Sequence, residues 1–154
     1  MPRITLSIAG NQPESLGLLG GCIKQLSLTV FDEAGASQVE LAIVEAVTNS
    51  IRHADIGDTD IQIHFVVDDA GVTIDLMDKG KPMDPAILES RGNRVNFNPA
   101  DIQNLPEGGM GLFIIKNYMN EVSYRFENGR NRWKFRKNLH PAAPPAGAAS
   151  LPAR

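Results

Sequence analysis

Residues Val39 to Ala54 carry apolar or small side chains at Val39, Ala42, Ile43, Ala46, Val47, Ser50, Ile51 and Ala54. That spacing is the repeat of an amphipathic helix with one continuous buried stripe. Such a stripe must be set against another layer of structure, so this stretch organises the rest of the chain. Glu45, Asn49 and His53 follow one another in four-residue steps and so share one side of the helix, along the edge of the stripe. Ser37 and Glu40 have the spacing of a capping box, which puts the expected helix start there. A carboxylate and a carboxamide one turn apart, at the margin of a buried face, can look into a pocket together. On an isolated helix the same pair is more often two solvated polar residues.

The flanking segments supply strands and two further helices. Arg3 to Ala9 alternates Ile4, Leu6 and Ile8 with Thr5 and Ser7, a half-buried strand. Asn11 and Glu14 mark a helix start. Leu16, Leu19, Ile23, Leu26 and Val30 carry that helix to about Phe31, and Gly35 ends the connection to the central helix. Asp60 to Val67 and Val72 to Met77 alternate as strands, joined by Asp69-Ala70-Gly71 into an antiparallel hairpin. Asp84 to Glu107 holds Pro85, Pro99, Pro106 and Gly92 and shows little periodicity beyond a helical turn near Ala86 to Leu88. A connection this long in a compact domain is usually functional or mobile.

Gly111 to Asn120 reads as a helix. Glu121 to Glu127 is a strand with Val122, Tyr124 and Phe126 facing in, and Asn128-Gly129 turns the chain. Trp133 and Phe135 then alternate with Arg132, Lys134 and Arg136 in a last strand, whose basic residues read as the outer face of a two-faced sheet. From about Leu139 the chain is rich in Pro and Ala. The expected organisation is one domain over residues 1–138 and a disordered tail over 139–154. Hairpin strands with helices in separate blocks predict an α+β two-layer sandwich, helices on one face of a mixed, mostly antiparallel sheet.

A chain of 154 residues can bury one real core. Its net charge of −3 gives no electrostatic case for nucleic acid or an anionic membrane. No apolar run approaches the length of a membrane span, and the N-terminus lacks the pattern of a signal peptide. The one cysteine, Cys22, excludes an internal disulfide, and its place in the first helix predicts a buried small hydrophobe in a reducing cytoplasm.

Two further stretches change the weight of Glu45 and Asn49. Asp78-Lys79-Gly80 follows directly on a strand, where a carboxylate can accept from an amino group in a pocket and a glycine lets backbone lie close to a flat ligand. Alone, it is a common turn. Glu107-Gly108-Gly109-Met110-Gly111-Leu112 closes the long connection and opens a helix. Glycines before a helix N-terminus leave its first amides open to an anion. No Gly-Lys-Ser/Thr follows, so this is not a P-loop, and no parallel βαβ unit surrounds it.

In combination, and in this order, the three stretches resemble the ATPase superfamily shared by gyrase, the Hsp90 chaperones, histidine kinases and MutL. Glu45-Ala46-Val47-Thr48-Asn49 with His53-Ala54 looks like the first box of that superfamily, and Asp78-Lys79-Gly80 like the second. Glu107 to Leu112 with Met119-Asn120-Glu121-Val122 looks like the third. Over Arg3 to Leu139 the short form resembles the anti-sigma factor serine/threonine kinases of bacterial partner-switching systems. Asn120 departs from an expected acidic residue, and Asp84 to Pro106 matches no fixed pattern.

The resemblance implies a Bergerat-type ATP-binding fold and ATP with Mg²⁺ as cofactors. It implies Glu45 as general base, Asn49 as the Mg²⁺ ligand and Asp78 as acceptor from the adenine amino group. Gly80 would let the base lie close, and Gly109, Gly111 and Leu112 would give backbone donors to the phosphates. His53 is expected to be an internally hydrogen-bonded structural histidine, and Arg52 a surface residue. The implied partners are a sigma factor, which the protein sequesters, and an anti-anti-sigma (STAS-type) protein, which it phosphorylates on Ser or Thr. A homodimer is implied, with neither nucleic acid nor membrane as a direct partner. Two alternatives remain open: a nucleotide-binding regulatory module without kinase activity, and a histidine-kinase-type catalytic fragment acting on a separate chain.

Overall fold

In the computed structural model, residues 1–90 and 110–139 are described. The elements are β1 (Arg3–Ala9), α1 (Ser15–Leu28), α2 (Glu33–His53), β2 (Asp60–Asp68), β3 (Gly71–Asp78), α3 (Pro85–Ser90), α4 (Met110–Tyr118), β4 (Glu121–Glu127) and β5 (Arg130–Asn138). The strands form one sheet in the order β1-β2-β3-β5-β4.

The expected α+β sandwich is present, and every ladder among the described strands is antiparallel, so the sheet is antiparallel throughout them rather than mixed. β1, β3 and β4 run one way, but β4 is delivered to the far edge and β5 returns into the slot beside β3. Among the described strands, no two of the same direction are therefore neighbours. The β4–β5 turn is Asn128-Gly129 as expected, with φ of 52° and 72° at the two residues, the left-handed pair that suits the twist of a two-residue hairpin.

Period-two alternation puts Ile61, Ile63, Phe65, Val72, Ile74, Leu76, Trp133 and Phe135 on the helical side of the sheet, all buried. The stripe of α2 meets them: Val39, Ala42, Ile43 and Val47 are completely buried and Ala46 nearly so. Each larger side chain removed from water in this way contributes roughly 1.5–3 kcal/mol. α2 packs on α1 on one side and on α4 on the other, so the polar edge carrying Glu45 and Asn49 looks toward α4.

Local signals misplace several boundaries. α2 starts at Glu33, capped by Asp32, whose side chain accepts from the Gly35 amide at 2.8 Å. Ser37 and Glu40 have capping-box spacing but lie inside the helix, and Gly35 belongs to its first turn. A carboxylate cap with Glu33 next to it complements the positive helix end, and so wins over the later candidate. α1 runs from Ser15 and stops at Leu28, where the Val30 and Phe31 amides both bond to the Ser27 carbonyl and tighten the exit. Cys22 is exposed, because the buried side of α1 is drawn by Leu19 and Ile23. Phe126 is also exposed, since β4 is an edge strand at that end. The long connection is described only through α3, and the tail only to Leu139; the rest of both expectations lies outside the described residues.

Candidate functional site

Along β3 the inward positions are Val72, Ile74, Leu76 and then Asp78, so a carboxylate stands where the apolar series ends. It is 2% exposed, and so is its register partner on β5, Asn131. Asp78 Oδ1 accepts from Asn131 Nδ2 at 2.7 Å and from the Gly80 amide at 2.8 Å. Asn131 Nδ2 also donates to the Lys81 carbonyl at 3.0 Å. The Tyr124 hydroxyl donates to Asn131 Oδ1 and accepts from the Met83 amide at 2.8 Å. Burial raises the Tyr124 hydroxyl above its ordinary pKa, so it stays protonated as a donor at neutral pH. Asp78 Oδ2, by contrast, is buried with no hydrogen-bond partner among the described residues. A buried polar atom left in that state costs about 1–3 kcal/mol, which is recovered when a donor arrives.

That carboxylate lines a cavity of about 340 Å³. Asn49, Ser50 and His53 of α2 with its C-cap Ala54 form one side, and Gly111 and Leu112 of α4 another. Met83, Ile87, Leu112 and Trp133 give it apolar walls, with the rings of Trp133 and Tyr124 tilted at 49° and 4.8 Å between centroids. The arrangement suits a flat heteroaromatic group bearing an amino donor, packed on apolar surface.

In the wall of the same cavity the α4 N-terminus meets α2. A Cβ on Gly111 would lie 3.0 Å from Glu45 Oε2 and 3.2 Å from Asn49 Nδ2. Three expected residues, Glu45, Asn49 and Gly111, are thus brought together, and Leu112 joins Asn49 and Gly111 in the cavity wall. Glu45 is half-buried and stands beside the cavity rather than in its lining. α4 begins at Met110, and the first amides of a helix have no partner within it. Gly109 lies outside the described residues, as do Glu107 and Gly108.

Two expectations change. Gly80 does not line the cavity; a Cβ there would run into Ala54 Cβ and the Ala54 carbonyl, both at 2.4 Å. Close packing of chain on chain demands this glycine, and its link to the site is its amide bond to Asp78. His53 is exposed at the rim, beyond the α4 contact, and not an internally bonded core residue. Arg52 is exposed as expected. Asn120 holds the α4–β4 junction: its side chain accepts from the Asn138 amide at 2.8 Å.

Sequence reasoning missed Asn131 and assigned Tyr124 and Trp133 to the core alone. One signal was present: Asn131 shares inward parity with Trp133 and Phe135, so an amide stood in an apolar series.

The residues fit both implied groups. The unpartnered Asp78 oxygen fits an adenine amino group. Among the described residues no cluster of three or more His, Cys, Asp or Glu side chains could hold a metal unaided. Asn49 offers one neutral carbonyl oxygen, which suits Mg²⁺ carrying phosphate oxygens and water as its other ligands.

Comparison with known proteins agrees with this geometry. Residues 11–137 match the family described as histidine kinase-like ATPase domain. The serine-protein kinase RsbW of Staphylococcus epidermidis is 35% identical over 108 residues, 65% of this chain and 67% of that protein. Its counterpart in Staphylococcus aureus (strain MSSA476) is 34% identical over the same shares. The solved RsbU and RsbW domains of Rv1364c from Mycobacterium tuberculosis superpose with a TM-score of 0.62 at 14% identity, over 92% of this chain. That likeness shows the fold; the chain spans about a third (34%) of the solved one.

Proposed function

Because the chain belongs to the histidine kinase-like ATPase domain family, we propose that it is an ATP-dependent protein-serine/threonine kinase acting as an anti-sigma factor. The observation that carries this reading is the buried, unpartnered Asp78 oxygen in a cavity that Asn49 and Gly111 also line, with Glu45 next to them.

When bound, ATP supplies the transferable phosphoryl group and Mg²⁺ offsets the charge on its phosphates. Asp78 Oδ2 accepts from the 6-amino group, which selects adenine over guanine because guanine presents an oxygen there. Met83, Ile87, Leu112 and Trp133 pack on the base and exclude water. Asn49 would hold Mg²⁺ through its carbonyl oxygen. The amides of Gly111 and Leu112, together with Gly109, donate to the phosphates at the positive end of α4. Glu45 takes the proton from the attacking seryl or threonyl hydroxyl, a role typically worth about 10²–10⁴-fold.

The substrate is an anti-anti-sigma protein of STAS type, and the sequestered partner a sigma factor. Phosphorylation adds about −2 charge to the substrate's interface, where desolvation and repulsion weaken its hold on the kinase and free the kinase for the sigma factor. The working unit is a cytoplasmic homodimer of the domain at 1–138. Among the described residues, no helix is long and apolar enough to cross a membrane.

The test is phosphotransfer from labelled ATP and Mg²⁺ to the candidate substrate. Acid-stable label on Ser or Thr is expected, and Glu45→Ala should lower the rate by about 10²-fold or more while ATP still binds. Acid-labile label would assign a histidine-directed enzyme instead. An unchanged rate in Glu45→Ala would remove Glu45 as the base.

A further inference from the structure

We propose that Tyr124 is a positioning residue for base recognition, acting on Asp78 through the carboxamide of Asn131; this rests on the nucleotide reading of the cavity. Simple donor and acceptor chemistry places the protons. The Met83 amide can only donate, so the Tyr124 oxygen accepts from it. The phenol has one proton, and that proton goes to Asn131 Oδ1. A carboxamide held by its oxygen must turn its two N–H bonds the other way. There they meet two pure acceptors, Asp78 Oδ1 at 2.7 Å and the Lys81 carbonyl at 3.0 Å. The Gly80 amide adds a second donor to Oδ1 at 2.8 Å. One carboxylate oxygen is thereby saturated, and Oδ2 alone is left to accept from a ligand.

A single hydroxyl therefore sets the chain of contacts. Without it, Asn131 Oδ1 and the Met83 amide both lose their partner. The carboxamide gains by rotating toward another donor, and that rotation draws Nδ2 away from Asp78. The Asp78 side chain is then no longer held with Oδ2 toward the ligand. The same hydroxyl fixes the backbone of Met83, whose side chain lines the cavity, so the apolar wall and the polar acceptor are set by one group. The ligand feature read through Tyr124 is the 6-amino donor of a purine, not its ring or its phosphates.

Calorimetric titration in Mg²⁺ separates these terms, with ATP, GTP and purine riboside triphosphate, which lacks a 6-substituent, as probes. The wild type should bind ATP more tightly than either of the others. Tyr124→Phe keeps the ring against Trp133 and removes only the hydroxyl. It should weaken ATP binding about tenfold and purine riboside triphosphate less than about twofold. Equal weakening of both, as a merely structural role would give, overturns the proposal, and so does an unchanged ratio. If Tyr124→Phe fails to fold in a thermal melt, Asn131→Leu is read in its place, with the same expected change in ratio and the same overturning result. Absence of binding by all three nucleotides to the wild type would instead remove the nucleotide reading, and the role of Tyr124 with it.

Discussion

Gly80 and Gly111 occupy similar places in sequence motifs but do opposite work in the fold. A Cβ at Gly80 meets the Ala54 carbonyl at 2.4 Å, a backbone atom that cannot move away. Gly80→Ala is therefore expected to cost about 1–3 kcal/mol, visible as a melting temperature several degrees lower. A Cβ at Gly111 meets the side chains of Glu45 and Asn49 at 3.0–3.4 Å, which give way slightly, while alanine favours the helix by about 1 kcal/mol. Gly111→Ala should therefore keep or raise the melting temperature and lower phosphotransfer; a parallel fall in both would contradict this assignment. At this scale Glu45, Asn49, Asp78 and Gly111 were legible, because helical spacing and strand ends are local properties. Asn131 and Tyr124 were not. Asn131 reaches Asp78 through the pairing of β3 with β5, a match between residues more than fifty positions apart along the chain, and Tyr124 reaches it from β4 through Asn131.

At the scale of elements, the strand and helix order was legible from periodicity, and the errors fell where tertiary contacts decide. The cap of α2 depends on Asp32 reaching back to Gly35, and the exposure of Phe126 on its strand being an edge. The β2–β3 turn is tied to β5 by a contact no local pattern reveals. Arg136 Nη1 bonds Asp68 Oδ2 at 2.6 Å and Nη2 bonds Oδ1 at 2.9 Å, a two-point pair. Arg136 holds the Asp68 carboxyl down to about 2, from its ordinary 3.8, with the Ala70 amide assisting. A depressed folded pKa gives stability that is present above about pH 4 and is lost as pH falls through about 2. Asp68→Asn should accordingly melt below the wild type at pH 7, with the two curves converging toward pH 2. A difference that persists undiminished at pH 2 would mean the pair acts by packing and not by charge. Lys137 makes a second such tie, donating to Gln38 Oε1 and the Tyr118 carbonyl, both at 2.8 Å, and so holding the far end of α4 to α2.

For the whole molecule, the first strand and the first helix each leave a large apolar side chain exposed. Ile4 on β1 and Leu18 on α1 are 41% and 77% exposed. In the proposed homodimer we assign these two elements to the contact, and light scattering of an Ile4→Arg/Leu18→Arg double variant should give half the wild-type mass. An unchanged mass would move the contact elsewhere. Such exposed substitutions change stability by only about 0.5 kcal/mol each, so folding is not the variable. The central claim concerns the cavity between α2, β3 and α4, and calorimetry with Mg-ATP on the wild type and Asp78→Asn tests it most directly. The account expects saturable binding of one ATP per chain, weakened about tenfold or more when Oδ2 is replaced. Equal affinity in the two proteins, or no heat from the wild type, would contradict it.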